Sequence, residues 1–292
     1  MTDVVNTVAD LRQAVVRARG SGMLIRLVPT MGALHEGHAS LIRAARQDGG
    51  FVVVSVFVNP TQFGPKEDLS RYPRPFERDR EVCSREGGDL IFAPPVEEVY
   101  PEGSATFVEV KGLQDVLEGA SRPGHFRGVC TVVLKLFLMA GPDVAYFGQK
   151  DAQQAIVIRK MVRDLNVPVE VRVCPTVREP DGLALSSRNV YLSGVERERA
   201  LCLVRALREG RDRVLAGERD GKAVRAAMEA IVAGTPGAVL DYAAVVSADS
   251  LQELTRLEGK VLLALAVRIG STRLIDNMLL TVTERTATEI PV

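Results

Sequence analysis

The sequence predicts an α/β protein in which helices cover both faces of a parallel sheet, followed by a smaller α+β domain. Two observations lead to this fold class. From residue 1 to about residue 176, apolar strand-like runs alternate with helical patterns, and this alternation is typical of a parallel sheet. Beyond that point, two helical patterns come first and three strand-like runs follow them.

The strands predicted for the first part are residues 24–28, 51–58, 89–92, 144–147 and 169–173. Residues 51–58 form a continuous β-branched and aromatic run, as expected for a parallel strand that is covered on both faces. Helices are predicted between the strands, over about residues 38–47, 75–86, 128–139 and 152–165. A Rossmann-like sheet of this kind binds ligands beyond the carboxyl ends of its strands, so we expect the chemistry in the loops that follow them.

The second part of the chain opens with a helix signal. Ser193 and Glu196 have the spacing of a capping box, which predicts a helix running to about residue 215. Asp220 is the predicted cap of the next helix, to about residue 232, and strands are predicted within residues 239–246, 261–269 and 273–279. Strong turn signals at residues 141–142 and 179–182 place the domain boundary near Thr176, giving domains of residues 1–176 and 177–292.

Composition excludes several classes of protein. The chain has 292 residues, of which 46% are hydrophobic, so it can bury a substantial core. Its 37 basic residues equal its 37 acidic ones, which argues against a general nucleic-acid binder but permits a local cationic pocket. The apolar runs are too short to span a bilayer, and residues 1–18 lack the apolar core of a secretory signal. We therefore expect a cytoplasmic protein with no nucleic-acid or membrane partner.

The cysteines offer no evidence for a zinc or redox motif. There are four, and none of them forms a CxxC pair. We expect all of them to be small buried residues with free thiols. They are Cys83, Cys130, Cys174 and Cys202.

Two of the three histidines, His35 and His38, lie in one short segment after the first predicted strand. Gly32 and Gly37 flank them, so the backbone can turn tightly and approach a ligand. The helix that follows has free N–H groups and a positive dipole end, which favour an anion. These features predict a phosphate site. A plain surface loop is one alternative; a zinc site is another, although no cysteine or third histidine stands nearby to complete it.

Four further segments carry polar side chains at predicted strand ends or turns. In residues 147–154, Lys150 can neutralise phosphate and Asp151 can accept from ribose hydroxyls, although an ordinary helix start is an equal alternative. In residues 183–189, two hydroxyls and Arg188 suit a polyphosphate, with a simple loop as the alternative. In residues 58–64, Asn59 and Gln62 suit the hydroxyls and carboxylate of a small acid. The fourth segment, residues 122–128, contains His125, for which ordering of the loop is the favoured role.

No Walker loop or GxGxxG motif is present. Residues 35–38 (HEGH) resemble the first signature of the HxGH nucleotidyltransferases, the superfamily of the class I aminoacyl-tRNA synthetases, and residues 185–188 (LSSR) stand in the place of the second. The resemblance is closer to the pantothenate synthetase (pantoate–β-alanine ligase) family. Five blocks resemble that family's motifs in its order, over roughly residues 24–192: 29–38, 57–63, 122–128, 147–151 and 186–189.

The resemblance implies an ATP-dependent ligase that condenses pantoate with β-alanine. Pantoate carboxylate would attack the α-phosphate of Mg-ATP to give pantoyl adenylate and pyrophosphate; β-alanine would then displace AMP. Such catalysis rests on positioning and charge stabilisation rather than on a covalent enzyme intermediate. The resemblance further implies that Mg²⁺ enters with ATP, that residues 177–292 form a lid which excludes water, and that the protein is a homodimer.

The resemblance also assigns roles to individual residues. His38 would donate a proton, and the implied catalytic set is completed by His35, Lys150 and Arg188. Pantoate and β-alanine would be bound by Gln62, Gln154 and Asn59. ATP would be bound by Met31, Gly32, Ala33, Leu34, His35, Glu36, Gly37, His38, Gly148, Gln149, Lys150, Asp151, Val177, Leu185, Ser186, Ser187 and Arg188.

Two other functions remain open from the sequence. One is an HxGH adenylyltransferase that transfers a nucleotide without ligation, although such enzymes lack the acid pocket of Asn59 and Gln62. The other is a non-catalytic nucleotide-binding module, against which the cationic set of His35, His38, Lys150 and Arg188 argues.

Overall fold

The computed structural model describes residues 2–65, 67 and 69–290. The chain forms two compact units. The first unit consists of Met1–Gly148 and Gln153–Cys174, and the second consists of Gln149–Ala152 and Pro175–Val292. Each unit has its own sheet.

The first unit contains a six-stranded parallel sheet with the order β1-β4-β3-β2-β5-β6. The chain proceeds from β2 to β3 and β4 on one side, and then returns to β5 and β6 on the other. The order therefore reverses between β2 and β5, and a crevice beyond the carboxyl ends of such strands is where α/β sheets bind ligands. The strands are β1 (Asp3–Val5), β2 (Ile25–Thr30), β3 (Phe51–Val56), β4 (Leu90–Phe92), β5 (Val144–Gly148) and β6 (Glu170–Cys174).

Helices connect the strands of this sheet. Buried β-branched and aliphatic residues such as Val28, Val54 and Ile91 pack against Ile42 in one core cluster, and burying each side chain of this size contributes about 1.5–3 kcal/mol. The helices are α1 (Val8–Gly20), α2 (Glu36–Gln47), α3 (Phe76–Glu86), α4 (Val96–Val99), α5 (Glu118–Ser121), α6 (His125–Ala140) and α7 (Ala152–Asp164).

The predicted parallel sheet with connecting helices is confirmed. The sequence did not indicate β1, because an edge strand of three residues carries too short an alternation to be recognised. Helix α2 begins at Glu36 rather than near His38. The sequence did not indicate this earlier start, because the N-cap is the imidazole of His35 and not one of the usual short polar side chains. Helix α6 begins at His125, three residues before its predicted start.

The second unit contains a four-stranded antiparallel sheet with the order β10-β9-β8-β7. The capping box of Ser193 and Glu196 is present, and Asp220 caps its helix as predicted. The single helix expected from Ser193 to residue 215 is two helices, because a tight turn interrupts it at Leu201. The elements are α8 (Gly194–Ala200), α9 (Cys202–Leu215), α10 (Gly221–Ala233), β7 (Ala238–Ser247), β8 (Gly259–Ile269), β9 (Thr272–Val282) and β10 (Ala287–Glu289).

Two predictions about composition can be checked against these elements. All four cysteines are buried and free, as expected. Within the described part of the chain, no helix is both long enough and apolar enough to cross a membrane.

Candidate active site

The paired histidines form the N-terminus of α2. His35 is the N-cap, and its Nδ1 accepts a hydrogen bond from the backbone N–H of Gly37 at 3.1 Å. Nδ1 of His38 accepts in turn from the backbone N–H of His35 at 3.3 Å, and the two ring centroids lie 4.2 Å apart. Because Nδ1 is an acceptor in both rings, each neutral imidazole carries its proton on Nε2. Two Nε2–H donors therefore accompany the positive end of the helix dipole.

The loop between β2 and α2 is held in an unusual conformation. Gly32 and Ala33 both have positive φ, at 77° and 51°. A side chain at Gly32 would put its Cβ 2.9 Å from Oδ2 of Asp79 and 3.1 Å from Cγ1 of Val56, so only glycine fits there. The tight turn predicted at Gly32 is therefore present, whereas Gly37 lies in the first turn of α2 and has no positive φ.

Asp79, on α3, is the residue that holds this loop. Its Oδ2 accepts from the N–H of Ala33 at 2.9 Å and its Oδ1 accepts from the N–H of Leu34 at 2.7 Å. The side chain is almost fully buried, and burial raises the pKa of Asp79 against the opposing effect of the two hydrogen bonds. Sequence reasoning missed Asp79. Its place beside Val82 and Cys83 on the buried stripe of α3 is the signal that indicates a structural carboxylate.

Asn59 and Gln62 form a buried amide network at the end of β3. Asn59 donates from Nδ2 to Oε1 of Gln62 at 2.9 Å and to the carbonyl of Gly128 at 3.2 Å. Its Oδ1 accepts from the hydroxyl of Tyr100 at 2.9 Å. Gln62 donates from Nε2 to Sδ of Met31 at 3.2 Å. The structure thus brings together Asn59, Gln62 and Met31, and directs Nε2 of Gln62 at the loop that precedes the histidines.

His125 supports the same network from α6. Its Nε2 accepts from Nη1 of Arg122 at 3.1 Å, so its Nδ1 carries the proton and donates to the carbonyl of Gln62 at 2.9 Å. Burial, followed by the charge of Arg122, lowers the pKa of His125 to about 4. Arg122 is itself held by a bidentate ion pair with Glu67, with both bonds at 2.7 Å. The geometry therefore favours the ordering role for His125.

Gln154 lies half-buried on α7, in the first unit. Its neighbour Gln153 has a structural role that the sequence did not reveal. Gln153 accepts from the N–H of Glu118 at 3.0 Å and donates to the carbonyls of Leu113 and Val116, both at 2.8 Å. Gly148 ends β5.

In the second unit, the residues Gln149, Lys150 and Asp151 form a short 3-10 helix. Nζ of Lys150 and Oδ1 of Asp151 form an ion pair at 3.6 Å. The turn is attached to β9 through Asn277, which donates to the carbonyls of Gln149 at 3.0 Å and Lys150 at 2.9 Å. Asn277 was not identified from the sequence.

The loop that carries the second predicted signature is a hairpin followed by a 3-10 helix over Ser187–Tyr191. The backbone N–H of Leu185 donates to the carbonyl of Val177 at 2.9 Å, which pairs these two predicted ATP-binding residues. Ser186 caps the 3-10 helix by accepting from the N–H of Arg188 at 3.2 Å. The predicted residues Ser186, Ser187 and Arg188 are thus consecutive in one capped turn.

Side chains behind the loop fix its shape. Asn189 donates from Nδ2 to Glu179 at 3.0 Å and to the carbonyl of Ala184 at 3.1 Å. Arg197 forms ion pairs with Glu179 and with Asp181, and its Nη2 donates to Oδ2 of Asp181 at 2.6 Å. Among the described residues, no group of three or more His, Cys, Asp or Glu side chains is arranged to hold a metal ion.

Comparisons with known sequences give one family. The profile of the family described as pantoate-beta-alanine ligase matches residues 3–279. A pantothenate synthetase from Moorella thermoacetica is 58% identical over 282 residues, which are 97% of this chain and 100% of the relative. A pantothenate synthetase from Roseiflexus sp. is 56% identical over 277 residues, covering 95% of this chain and 99% of the relative.

Solved structures give the same family. Pantothenate synthetase from Thermus thermophilus superposes with a TM-score of 0.90 at 50% identity, covering 94% of this chain and 98% of that one. The pantoate-beta-alanine ligase from Francisella tularensis superposes with a TM-score of 0.76 at 35% identity, covering 96% and 98%. That protein was crystallised in complex with beta-gamma ATP and beta-alanine.

Proposed function

We infer the roles of the site residues from the premise that this chain belongs to the pantoate–β-alanine ligase family, an enzyme family that condenses pantoate with β-alanine at the expense of ATP. The chemistry that we propose proceeds through a pantoyl adenylate. The observation that carries the proposal is the histidine pair at the start of α2, where Nδ1 of each ring accepts a backbone N–H. This arrangement leaves the proton of each neutral ring on Nε2.

The reaction has two displacements. In the first, a carboxylate oxygen of pantoate forms a bond to the α-phosphorus of ATP, the bond from that phosphorus to the bridging oxygen breaks, and pyrophosphate leaves. In the second, the amine nitrogen of β-alanine forms a bond to the acyl carbon, AMP leaves with the adenylate oxygen, and the amine loses a proton. Neither displacement needs an enzyme nucleophile, so the protein has to position the reactants and stabilise charge at phosphorus.

The first unit supplies donors for the phosphates and a pocket for the acid. We propose that His35 and His38 hydrogen-bond phosphate oxygens through Nε2, and that His38 stabilises the departing pyrophosphate as a hydrogen-bond donor. Gln62 and Gln154 bind pantoate, and Asn59 supports the pocket through Gln62. The support for this pocket is the hydrogen-bond chain from Asn59 through Gln62 to Met31.

The second unit supplies the fixed positive charge. We propose that Lys150 and Arg188 neutralise the triphosphate and that Ser186 and Ser187 bind its oxygens. In support, Lys150 lies in a short 3-10 helix, the other three residues lie in one capped turn, and all four side chains are half-buried. Asp151 binds the ribose, together with the backbone around Gly148 and Gln149. Val177 and Leu185, which are joined by a backbone hydrogen bond, contribute apolar contacts to the nucleotide.

Further properties follow from the family and are proposals for this chain. Mg²⁺ arrives as part of the substrate Mg-ATP, with phosphate and water as most of its ligands. Residues 177–292 act as a lid domain to the ATP- and pantoate-binding domain of residues 1–176, and exclude water that would hydrolyse the adenylate. The chain functions as a homodimer in the cytoplasm, where it also binds β-alanine.

Exchange of labelled pyrophosphate into ATP tests the adenylate route. We expect exchange that requires pantoate and Mg²⁺ and that needs no β-alanine. Exchange without pantoate, or only with a phosphorylated co-substrate, would instead indicate a nucleotide transferase of the wider HxGH superfamily. ATP binding with no release of AMP in the presence of both pantoate and β-alanine would indicate a non-catalytic module.

A further inference from the structure

Two adjacent polar side chains, Asp276 and Asn277, interrupt the apolar sequence of β9. Their exposed fractions are only 2% and 5%. On the same strand Leu274, Met278 and Leu280 belong to the hydrophobic core of the second unit. A buried carboxylate or amide costs free energy unless hydrogen bonds compensate it, so the partners of these two side chains indicate what they do.

Both polar atoms of the Asn277 side chain form hydrogen bonds with the turn that carries Lys150. Its Nδ2 donates to two successive backbone carbonyls, of Gln149 at 3.0 Å and of Lys150 at 2.9 Å. Its Oδ1 accepts from Nε2 of Gln149 at 2.8 Å. One amide group therefore holds both peptide planes that flank the Cα of Lys150, across 127 positions of sequence.

Asp276 contacts the second signature loop. Its carboxylate forms a bidentate pair with Arg178, at 2.7 and 3.0 Å. Arg178 lies at the base of the hairpin that leads to Ser186, where it pairs with Ala184 across the strand bridge. It also donates to the carbonyl of Gly182 at 3.1 Å. Successive residues of one strand thus hold the Lys150 turn and the base of the Arg188 loop.

We propose that Asn277 is a positioning residue for Lys150, and that Asp276 acts in the same way on the Arg188 loop through Arg178. The inference rests on the proposed phosphate-binding roles of Lys150 and Arg188. Lysine is a point charge on a flexible four-carbon stem, so its placement depends on how firmly its backbone is held. The amide of Asn277 provides that restraint.

A double-mutant cycle tests this role. Asn277→Asp keeps the shape of the side chain and the acceptor for Gln149, but it replaces the donor by an oxygen that faces two carbonyl oxygens. We expect kcat to fall by about 10²-fold, the scale for misplacing a catalytic group by about 1 Å, with little change in KM for pantoate. In a Lys150→Ala background, the same substitution should change kcat by less than about threefold, because residues that act through one another are not additive.

Controls separate this role from folding and from the function of Lys150. Asn166→Asp makes the same change of charge at an exposed left-handed residue of the first unit and should leave kcat unchanged. If Asn277→Asp does not fold, Asn277→Ser retains a hydroxyl donor without adding charge, and it should show a smaller loss of kcat that again disappears in the Lys150→Ala background.

The outcomes are distinct. Equal losses of kcat from the Asn277 substitution in both backgrounds would overturn the inference, because Asn277 would then act independently of Lys150. A Lys150→Ala variant with normal turnover would overturn the proposed role of Lys150 itself, and the inference with it. A large loss from Lys150→Ala together with no loss from either Asn277 variant would overturn the inference alone.

Discussion

Substitution of Gly37 by alanine should lower turnover while leaving stability almost unchanged. The added Cβ would lie 2.9 Å from Cε1 and 3.0 Å from Nδ1 of His35. Gly37 belongs to the first turn of α2 and has no positive φ, so the methyl group itself suits the backbone. The ring of His35 must therefore move by about 0.5–1 Å to restore an ordinary separation of about 3.5–4.0 Å.

The two effects on stability oppose each other. Alanine is favoured over glycine in a helix by about 1 kcal/mol, whereas disturbing the bond from the Gly37 N–H to His35 removes a cap worth about 1 kcal/mol. The free energy of unfolding should thus change by less than about 1 kcal/mol. Turnover has no such compensation. Displacing the Nε2 donor of His35 by up to 1 Å should lower kcat by about 10–10²-fold.

The assay is AMP release at saturating pantoate, β-alanine and Mg-ATP, with urea unfolding measured on the same preparations. Gly194→Ala is a matched control: it adds a methyl group to the first turn of α8, where no atom lies within 4 Å. The control should keep normal kcat. Normal kcat in the Gly37→Ala variant would refute the role given to His35, and a loss of stability that accounts for the loss of activity would refute the reasoning about the ring.

Three other predictions can be checked with the same enzyme. Arg188→Ala should lower kcat by ~10²–10³, the scale for one preorganised charge-stabilising group; kcat within threefold of normal would contradict its role. Gln62→Ala should raise KM for pantoate more than KM for ATP, and equal increases would contradict the acid pocket. The pKa of His125 is lowered to about 4 in the folded protein, so its contribution to stability is present above pH ~6.5 and is lost as pH falls towards 4. His125→Asn retains a donor to Gln62 and should remove about 3 kcal/mol of that acid dependence, as measured by urea unfolding at pH 7 and pH 4; an unchanged dependence would contradict the assignment of a buried neutral ring.

The sequence predicted the framework of the fold because its signals are local. A run such as that of β3 is apolar and β-branched throughout, as a doubly covered parallel strand requires. The histidine segment was found in the same way, from glycines and imidazoles beside a helix start. The imidazole cap of α2 was not foreseen, because His35 is not among the residues that usually cap helices.

Residues that hold the site from a distance were missed for a physical reason. Asp79 reaches Ala33 across 46 positions of sequence, and only the packing of α3 brings them together. A weak signal exists in each case, because Asp79 shares a buried helix stripe with apolar residues and Asp276–Asn277 interrupt an apolar strand. A polar residue in an apolar pattern indicates that it has a buried partner, but the partner's identity requires the tertiary structure.

The fate of the carboxylate oxygen tests the central claim most directly. Pantoate labelled with ¹⁸O in its carboxylate is incubated with β-alanine and Mg-ATP, and the AMP is analysed by mass spectrometry. The adenylate route predicts one labelled oxygen in each AMP and none in pyrophosphate, because the acyl carbon–oxygen bond breaks in the second displacement. Unlabelled AMP, or label in inorganic phosphate with formation of ADP, would contradict it.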